Sequence, residues 1–149
     1  MENLFNEILE KDEKIIKVIK PHKGRYMKDF LIPFLIPLFW PHLIIILVAT
    51  LFTPFYFIPK GYKNVYYAYT NKRLIVRKGM FGNNYDSLEY KDITSTSVNV
   101  GFFDKKSNTG TLIFVSPSSH HEHPMNFAHI QNPYQEMNKI KEHINETNK

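Results

Sequence analysis

The densest chemical vocabulary in the chain is SSHHEHP, with His120, His121, Glu122 and His123 in succession. Imidazoles and a carboxylate are zinc ligands, and His121 and His123 would share a face on a strand. The spacing is wrong for a designed site. It is not the H-E-x-x-H of a helical zinc centre, and no second ligand group stands at metal spacing. The stretch reads as a solvated polar loop, with no metal and no cofactor. Nucleophile chemistry is missing too. There is no G-x-S-x-G turn, no glycine-rich loop leading into Lys-Ser or Lys-Thr, and no pair of carboxylates in an apolar setting. The 149 residues include no cysteine. The chain is expected not to be an enzyme.

Basic residues are the better candidates. Lys72, Arg73, Arg77 and Lys78 bracket one stretch of strand composition, and Lys105 and Lys106 sit in the long turn GFFDKKSNTG. On a strand Arg73 and Arg77 face one way while Lys72 and Lys78 face the other. Lys72, Lys78, Lys105 and Lys106 could meet anionic headgroups or a partner, with Phe102 and Phe103 dipping into the interface beside them. The alternative is structural: salt-bridged arginines, a solvated lysine face and a phenylalanine pair in the core. A formal charge of +5 is mild. It suits an anionic surface and falls short of the basic patches that bind nucleic acid, so no nucleic-acid partner is expected.

The elements that must position these residues divide the chain into three parts. Residues 30–58, FLIPFLIPLFWPHLIIILVATLFTPFYFI, hold no Asp, Glu, Lys or Arg. Such a run reads as a membrane-inserted segment over 30–59, made up of residues such as Phe30, Leu35, Trp40, Leu43, Ile46, Leu47, Leu51, Phe55 and Phe57. It is long for one span and short for two. A single helix could run from Leu38 to Ile58, or a hairpin could turn near residues 39–42. Both flanks are basic, with Lys20, Lys23, Arg25 and Lys28 before the run and Lys60, Lys63, Lys72 and Arg73 after it. The positive-inside tendency would keep both in the cytoplasm, which favours the hairpin. The lack of cysteine also argues for a reducing compartment. A cleaved signal peptide is not expected, because the leader and the apolar run are both too long.

Residues 1–29 form a leader in which KIIKVIK (14–20) fits a strand, while LFNEIL and KIIKVI together also fit an interfacial helix. Residues 60–149 read as a domain of short strands: VYYAYT (65–70), RLIVRKG (73–79), SLEY (87–90), ITSTSVNV (93–100), TLIFVS (111–116) and MNFAHI (125–130). From Asn132 to about Glu146 the period changes, placing Met137, Ile140, His143 and Ile144 on one helical face, with Pro133 in the first turn. The class is α+β.

Four stretches in order, YAYTNKRLIVRKGMFGN, SLEYKDI, TGTLIFVS and HIQNPYQEMNKI, resemble the bacterial PH-like domain of the DUF304 type, the second bacterial PH family. Tyr69, Thr70, Arg73, Leu74, Arg77, Gly79, Ile93, Gly110, Thr111 and Pro133 occupy matching positions over about residues 62–146. Tyr90-Lys91 and SNTG depart from the usual pattern. The resemblance implies a PH-like split β-barrel of two orthogonal sheets, about seven antiparallel strands and a C-terminal capping helix, with a membrane segment just upstream. The seventh strand would be 14–20. Tyr69, Thr70, Arg73, Arg77, Gly79 and Gly110 are then structural. The function so implied is a membrane-anchored, non-catalytic binding or scaffolding module at the cell membrane, facing the cytoplasm. It would contact the bilayer, anionic lipid headgroups or a membrane protein. The alternative is a structural oligomerisation or docking protein whose lipid contact is incidental.

Overall fold

Seven strands and a terminal helix frame the described part of the computed structural model, which describes residues 4–35, 58–79, 82–117 and 124–147. Strand β1 (Ile15–Ile19) is followed by helix α1 (Lys23–Leu35) and a helical turn, α2, over 58–63. Strands β2 (Tyr66–Thr70), β3 (Arg73–Lys78) and β4 (Asn84–Glu89) lead through a 3-10 turn at Tyr90–Asp92 into β5 (Ser95–Asn99). Helix α3 (Phe102–Ser107), β6 (Thr109–Val115), β7 (Met125–Gln131) and α4 (Pro133–Thr147) complete the order. All ladders are antiparallel, in one sheet ordered β1-β2-β3-β4 and another ordered β5-β6-β7.

The main core lies between the inner faces of the sheets and α4. Tyr67 and Tyr69 of β2, Leu74 and Val76 of β3 and Leu88 of β4 point into it. They meet Leu112, Phe114, Phe127 and Ile130 from the second sheet, and Met137, Ile140 and Ile144 from α4. The intervening Ala68 and Ile75 point outward yet are fully buried, because the leader folds over them with Phe5 at its centre. Leu4, Ile8, Leu9 and Tyr85 pack around this second cluster. A sheet covered on both faces needs apolar residues on both, which is why VYYAYT and RLIVRK show so little alternation.

Two glycines are fixed by space. A Cβ on Gly79, at φ +152°, would lie 2.0 Å from the Gly82 carbonyl oxygen. One on Gly110 would lie 2.9 Å from a Pro133 ring carbon and 3.0 Å from the Asn99 carbonyl oxygen.

The expected split barrel requires correction. The antiparallel strands and the capping helix are there, but the ladders form two separate sheets, and among the described strands none hydrogen-bonds across to close a barrel. The turn at Tyr90–Asp92 redirects the chain after β4, and the two sheets pack against each other through side chains such as Tyr67 and Phe127.

The membrane-spanning helix is corrected as well. Among the described residues no helix is long and apolar enough to cross a membrane. Phe30 and Leu35, read as the start of a membrane segment, fall on the backbone of α1. At 13 residues this helix is about 20 Å long, against a hydrocarbon layer of roughly 30 Å. Its first half holds Lys23, Arg25, Lys28 and Asp29, and Arg25 is buried against protein carboxylates. Trp40, Leu43, Ile46, Leu47, Leu51, Phe55 and Phe57, with the proposed turn at 39–42, lie outside the described residues. So does the cluster His120, His121, Glu122 and His123.

Candidate functional site

The stretch GFFDKKSN, expected as a turn, is helix α3, and its own residues show why. The Asp104 carboxylate accepts the Gly101 N–H at 3.2 Å, capping the first turn. Asn108, in the left-handed region at φ 49°, closes the helix by donating its backbone N–H to Asp104 and Lys105 carbonyls. Asp104 does more than cap. Its Oδ1 also accepts Arg25 Nε at 2.8 Å and the Thr109 hydroxyl at 3.0 Å. The Arg25 guanidinium meets Asp29 one turn along α1, and Asp29 meets His129 Nε2 at 3.3 Å. The His22 N–H donates to the His129 carbonyl at 2.7 Å. One buried ionic network thus fastens α1, α3 and β7 together.

On this fastened helix Phe102 is 85% exposed and Phe103 is 59% exposed. The rings meet edge to face with centroids 5.5 Å apart, and the Arg25 guanidinium lies 5.9 Å from the Phe103 ring. Lys105 and Lys106 are exposed on the same helix and make no ion pair among the described residues. Two bare aromatic rings beside two unneutralised cations, on a helix held from beneath, form the most distinctive surface in the described structure. Exposed apolar clusters rimmed by charge mark interaction sites.

Lys72 and Lys78 are placed elsewhere. They stand at opposite ends of β3, in the other sheet. Lys72 pairs with Glu10 at 3.0 Å and Lys78 with Asp86 at 2.6 Å. Arg73 and Arg77 both lie on the leader side of that sheet. Arg73 grips the buried Glu13 carboxylate with Nε and a terminal nitrogen, at 3.0 and 2.8 Å, and donates to the Ile8 carbonyl at 2.7 Å. The Thr70 hydroxyl donates to the same carboxylate at 2.7 Å. Arg77 is buried, donates to Asn83 Oδ1 at 2.7 Å, and lies 5.9 Å from each of the Tyr66 and Tyr85 rings. Tyr69 is a core residue. Sequence reasoning did not find Glu13, Phe5 or the Arg25–Asp104–Asp29–His129 network. For the leader the local signals were the strand composition of KIIKVIK and the helical spacing of Leu4 and Ile8 with Ile15, Ile16 and Ile19, and Arg25 was counted among the basic flanking residues.

Several of these groups are tuned by their surroundings. Burial opposes ionisation of Asp104, but the bonds from Thr109, Arg25 and Gly101 outweigh it and hold its carboxyl below the ordinary range. Glu13 is likewise penalised by burial, yet Arg73, the Glu10 amide and Thr70 pull it down. For Glu136 the opposing partners are Lys17 and Lys139. Burial and the nearby Arg25 and His22 charges lower His129, and Asp104 only partly compensates. A neutral ring donating from Nε2 to Asp29 fits that, with the buried Nδ1 free of a partner among the described residues.

For all four groups the unfolded chain binds protons more readily than the folded one, so stability rises with pH through each window. The histidine contribution is complete above about 6.5 and fades as pH falls through its lowered pKa. The carboxylate contributions are complete above about 4.5 for Glu13 and Glu136 and 3.8 for Asp104, and fade below. Urea midpoints are therefore expected to decline mildly below pH 6.5 and steeply below pH 4.5. A midpoint that stays constant down the whole range would contradict these assignments.

With this geometry in place the comparisons decide the family. Residues 28–147 match the family described as Bacterial PH domain. The chain belongs to that family. The bacterial PH domain match takes in the apolar run, and the expected upstream membrane-spanning helix is corrected because no described helix is long and apolar enough to cross a membrane. No curated protein matches the chain. Among solved structures it is similar to a DUF1696 family protein with a pleckstrin-homology domain from Shewanella loihica PV-4. That pair shares 14% identity over 97% of this chain and 90% of the other, with a TM-score of 0.48. It is also similar to a pleckstrin homology domain from Shewanella amazonensis SB2B, at 16% identity over 94% and 78% of the two chains, with a TM-score of 0.46. PH-like domains generally bind lipid headgroups or partner proteins. Its family membership supports a non-enzymatic role for this bacterial PH domain. Among the described residues no three His, Asp or Glu side chains are placed to hold a metal ion.

Proposed function

We propose that this bacterial PH domain is a non-catalytic docking module, joining protein to protein, with any lipid contact incidental. The observation that carries the reading is helix α3, whose Phe102 and Phe103 are bare while its Asp104 is locked to Arg25 and Thr109. A surface held rigid before contact loses little entropy on docking. Two aromatic anchors flanked by cations suit a partner face that is apolar at its centre and acidic at its rim. Anchoring by a membrane-spanning helix has no support among the described helices and forms no part of the proposal. The PH-like kinship and the lack of cysteine support a domain standing in the cytoplasm.

A second reading, peripheral contact with an anionic membrane surface, is favoured by the proximity of Lys105 and Lys106 to the phenylalanine pair. Each such lysine would contribute about 1 kcal/mol near anionic lipid. Benzoylphenylalanine at position 102 of the full chain separates the two. Irradiation in cells is expected to give adducts with protein, reduced severalfold by Phe103→Ser. Adducts with lipid alone, together with sedimentation on phosphatidylglycerol vesicles that K105E/K106E abolishes, would replace the docking reading with the membrane one.

A further inference from the structure

Beneath α3 the ionic network runs on through two histidines that docking itself does not touch. Helix α3 has six residues, too few to hold a helix on its own. Its order rests on Asp104, which is held from outside by Arg25 Nε at 2.8 Å and the Thr109 hydroxyl at 3.0 Å. Arg25 reaches that carboxylate while α1 lies against β7, and two histidines keep α1 there. His22 stands just before α1. Its N–H donates to the His129 carbonyl at 2.7 Å, and its Nδ1 accepts the Arg25 N–H at 3.3 Å. His129 meets Asp29 of α1 through Nε2 at 3.3 Å and sets its ring edge-on to Tyr26, with centroids 6.0 Å apart.

Both histidines serve α1 in the neutral form. The His22 Nδ1 accepts a hydrogen bond, which a protonated nitrogen cannot do. The His129 Nδ1 is buried without a hydrogen-bond partner among the described residues, so a second ring proton would land where no acceptor meets it. The groups facing that ring do not repair this. From α1 they are His22, Arg25, Tyr26 and Asp29, from α3 Asp104, and β2 brings Tyr67, whose hydroxyl accepts the neighbouring Ala128 N–H. Strand β6, the ladder partner of β7, holds no ionisable residue, and α4 turns Met137, Ile140 and Ile144 to the core. The two carboxylates, Asp29 and Asp104, are each already engaged by Arg25. Burial first, then Arg25, lowers the His129 pKa. Seating of α1 is therefore favoured above about 6.5 and lost as pH falls through the lowered pKa.

We propose that His22 and His129 form an acid-released latch that sets whether α3 is presented for docking. Protonation lifts α1 from β7, Arg25 leaves Asp104, and the short helix carrying Phe102 and Phe103 loses its support. The latch rests on the docking reading for its purpose, but its motion belongs to the free chain.

The chain has no cysteine, so spin labels can be placed in pairs on the full-length protein. Lys28→Cys with Asn126→Cys spans α1 and β7, and Lys106→Cys with Asn126→Cys spans α3 and β7; all three native side chains are exposed. At about pH 7.5 each pair is expected to give one narrow distance. At about pH 5, still above the carboxylate windows, both pairs are expected to shift largely to a broad distribution, with a shared midpoint below about 6.5. H22N/H129N is expected to keep both distances narrow at either pH. Asparagine caps helices, tolerates the left-handed φ of 58° at position 129 and does not titrate. Distances unmoved by acid in the native background, movement of α1 without α3, or the same movement in H22N/H129N would overturn the proposal. Loss of the near-ultraviolet circular dichroism of the core tyrosines at the same midpoint would mean unfolding of the whole domain and overturn it as well. No partner is present in these measurements, so a failure of docking shows separately, as missing adducts at position 102 with the distances unchanged.

Discussion

Replacing Arg73 by alanine is expected to cost about 3–5 kcal/mol of folding stability, read from urea unfolding at pH 7. The Glu13 side chain is fully buried, and Arg73 holds it through two parallel bonds of 3.0 and 2.8 Å. Without the guanidinium the carboxylate keeps only the Thr70 hydroxyl and the Glu10 amide. An ion stranded in this way costs more than the pair ever contributed, because its desolvation is no longer offset. Arg73 also holds the Ile8 carbonyl, so the leader that covers Ala68 and Ile75 loosens with it. The charge-free pair Arg73→Met with Glu13→Leu should recover much of the loss, since neither partner is then left ionised and buried. If Arg73→Ala costs less than about 1 kcal/mol, as for an ordinary surface pair, the leader does not depend on this contact.

The second large effect is expected at the seam between the sheets. Phe127→Ala should cost about 3–5 kcal/mol by removing a fully buried ring and leaving a cavity. Phe127 of β7 stacks on Tyr67 of β2 with centroids 4.7 Å apart and planes at 13°, and meets Phe114 edge-on at 5.2 Å. The Tyr67 hydroxyl accepts the Ala128 N–H at 3.1 Å, and burial pushes its pKa up to about 12. With no backbone ladder between the sheets, these side chains are what joins β2 to β7. Phe127→Leu should cost less, about 1.5 kcal/mol or under, because most of the volume remains. Phe102→Ala on the exposed face should change stability by no more than about 0.5 kcal/mol. Equal losses at Phe127 and Phe102 would show that the seam is not where the sheets are held.

Sequence determined what short range controls. Helix α4 was legible because Pro133 opens it and Met137, Ile140 and Ile144 recur on one face, and all three are buried. Strands β2 and β3 were legible from β-branched and aromatic density, and the PH-like kinship from motifs that stay contiguous along the chain. The absence of nucleophile motifs is a property of the sequence itself. Hydropathy states a demand to leave water. It is blind to whether protein or lipid satisfies that demand, and α1 shows a charged first half fastened to protein ahead of Phe30.

Tertiary structure alone decided the rest, because the partners stand far apart in the chain. Glu13 meets Arg73 across 60 positions and Arg25 meets Asp104 across 79, distances at which spacing carries no periodic signal. KIIKVIK fits strand and helix equally well; the β2 edge it pairs with makes it β1. GFFDKKSN looked like a turn because its capping carboxylate also serves Arg25 and Thr109, and only that convergence makes α3 a rigid platform with two bare rings. Lys72 and Lys78 looked as available as Lys105 and Lys106 until folding brought Glu10 and Asp86 to them. Composition supplies the charges, but the fold decides which are neutralised, and Lys105 and Lys106, without an ion pair among the described residues, mark the proposed docking surface on α3.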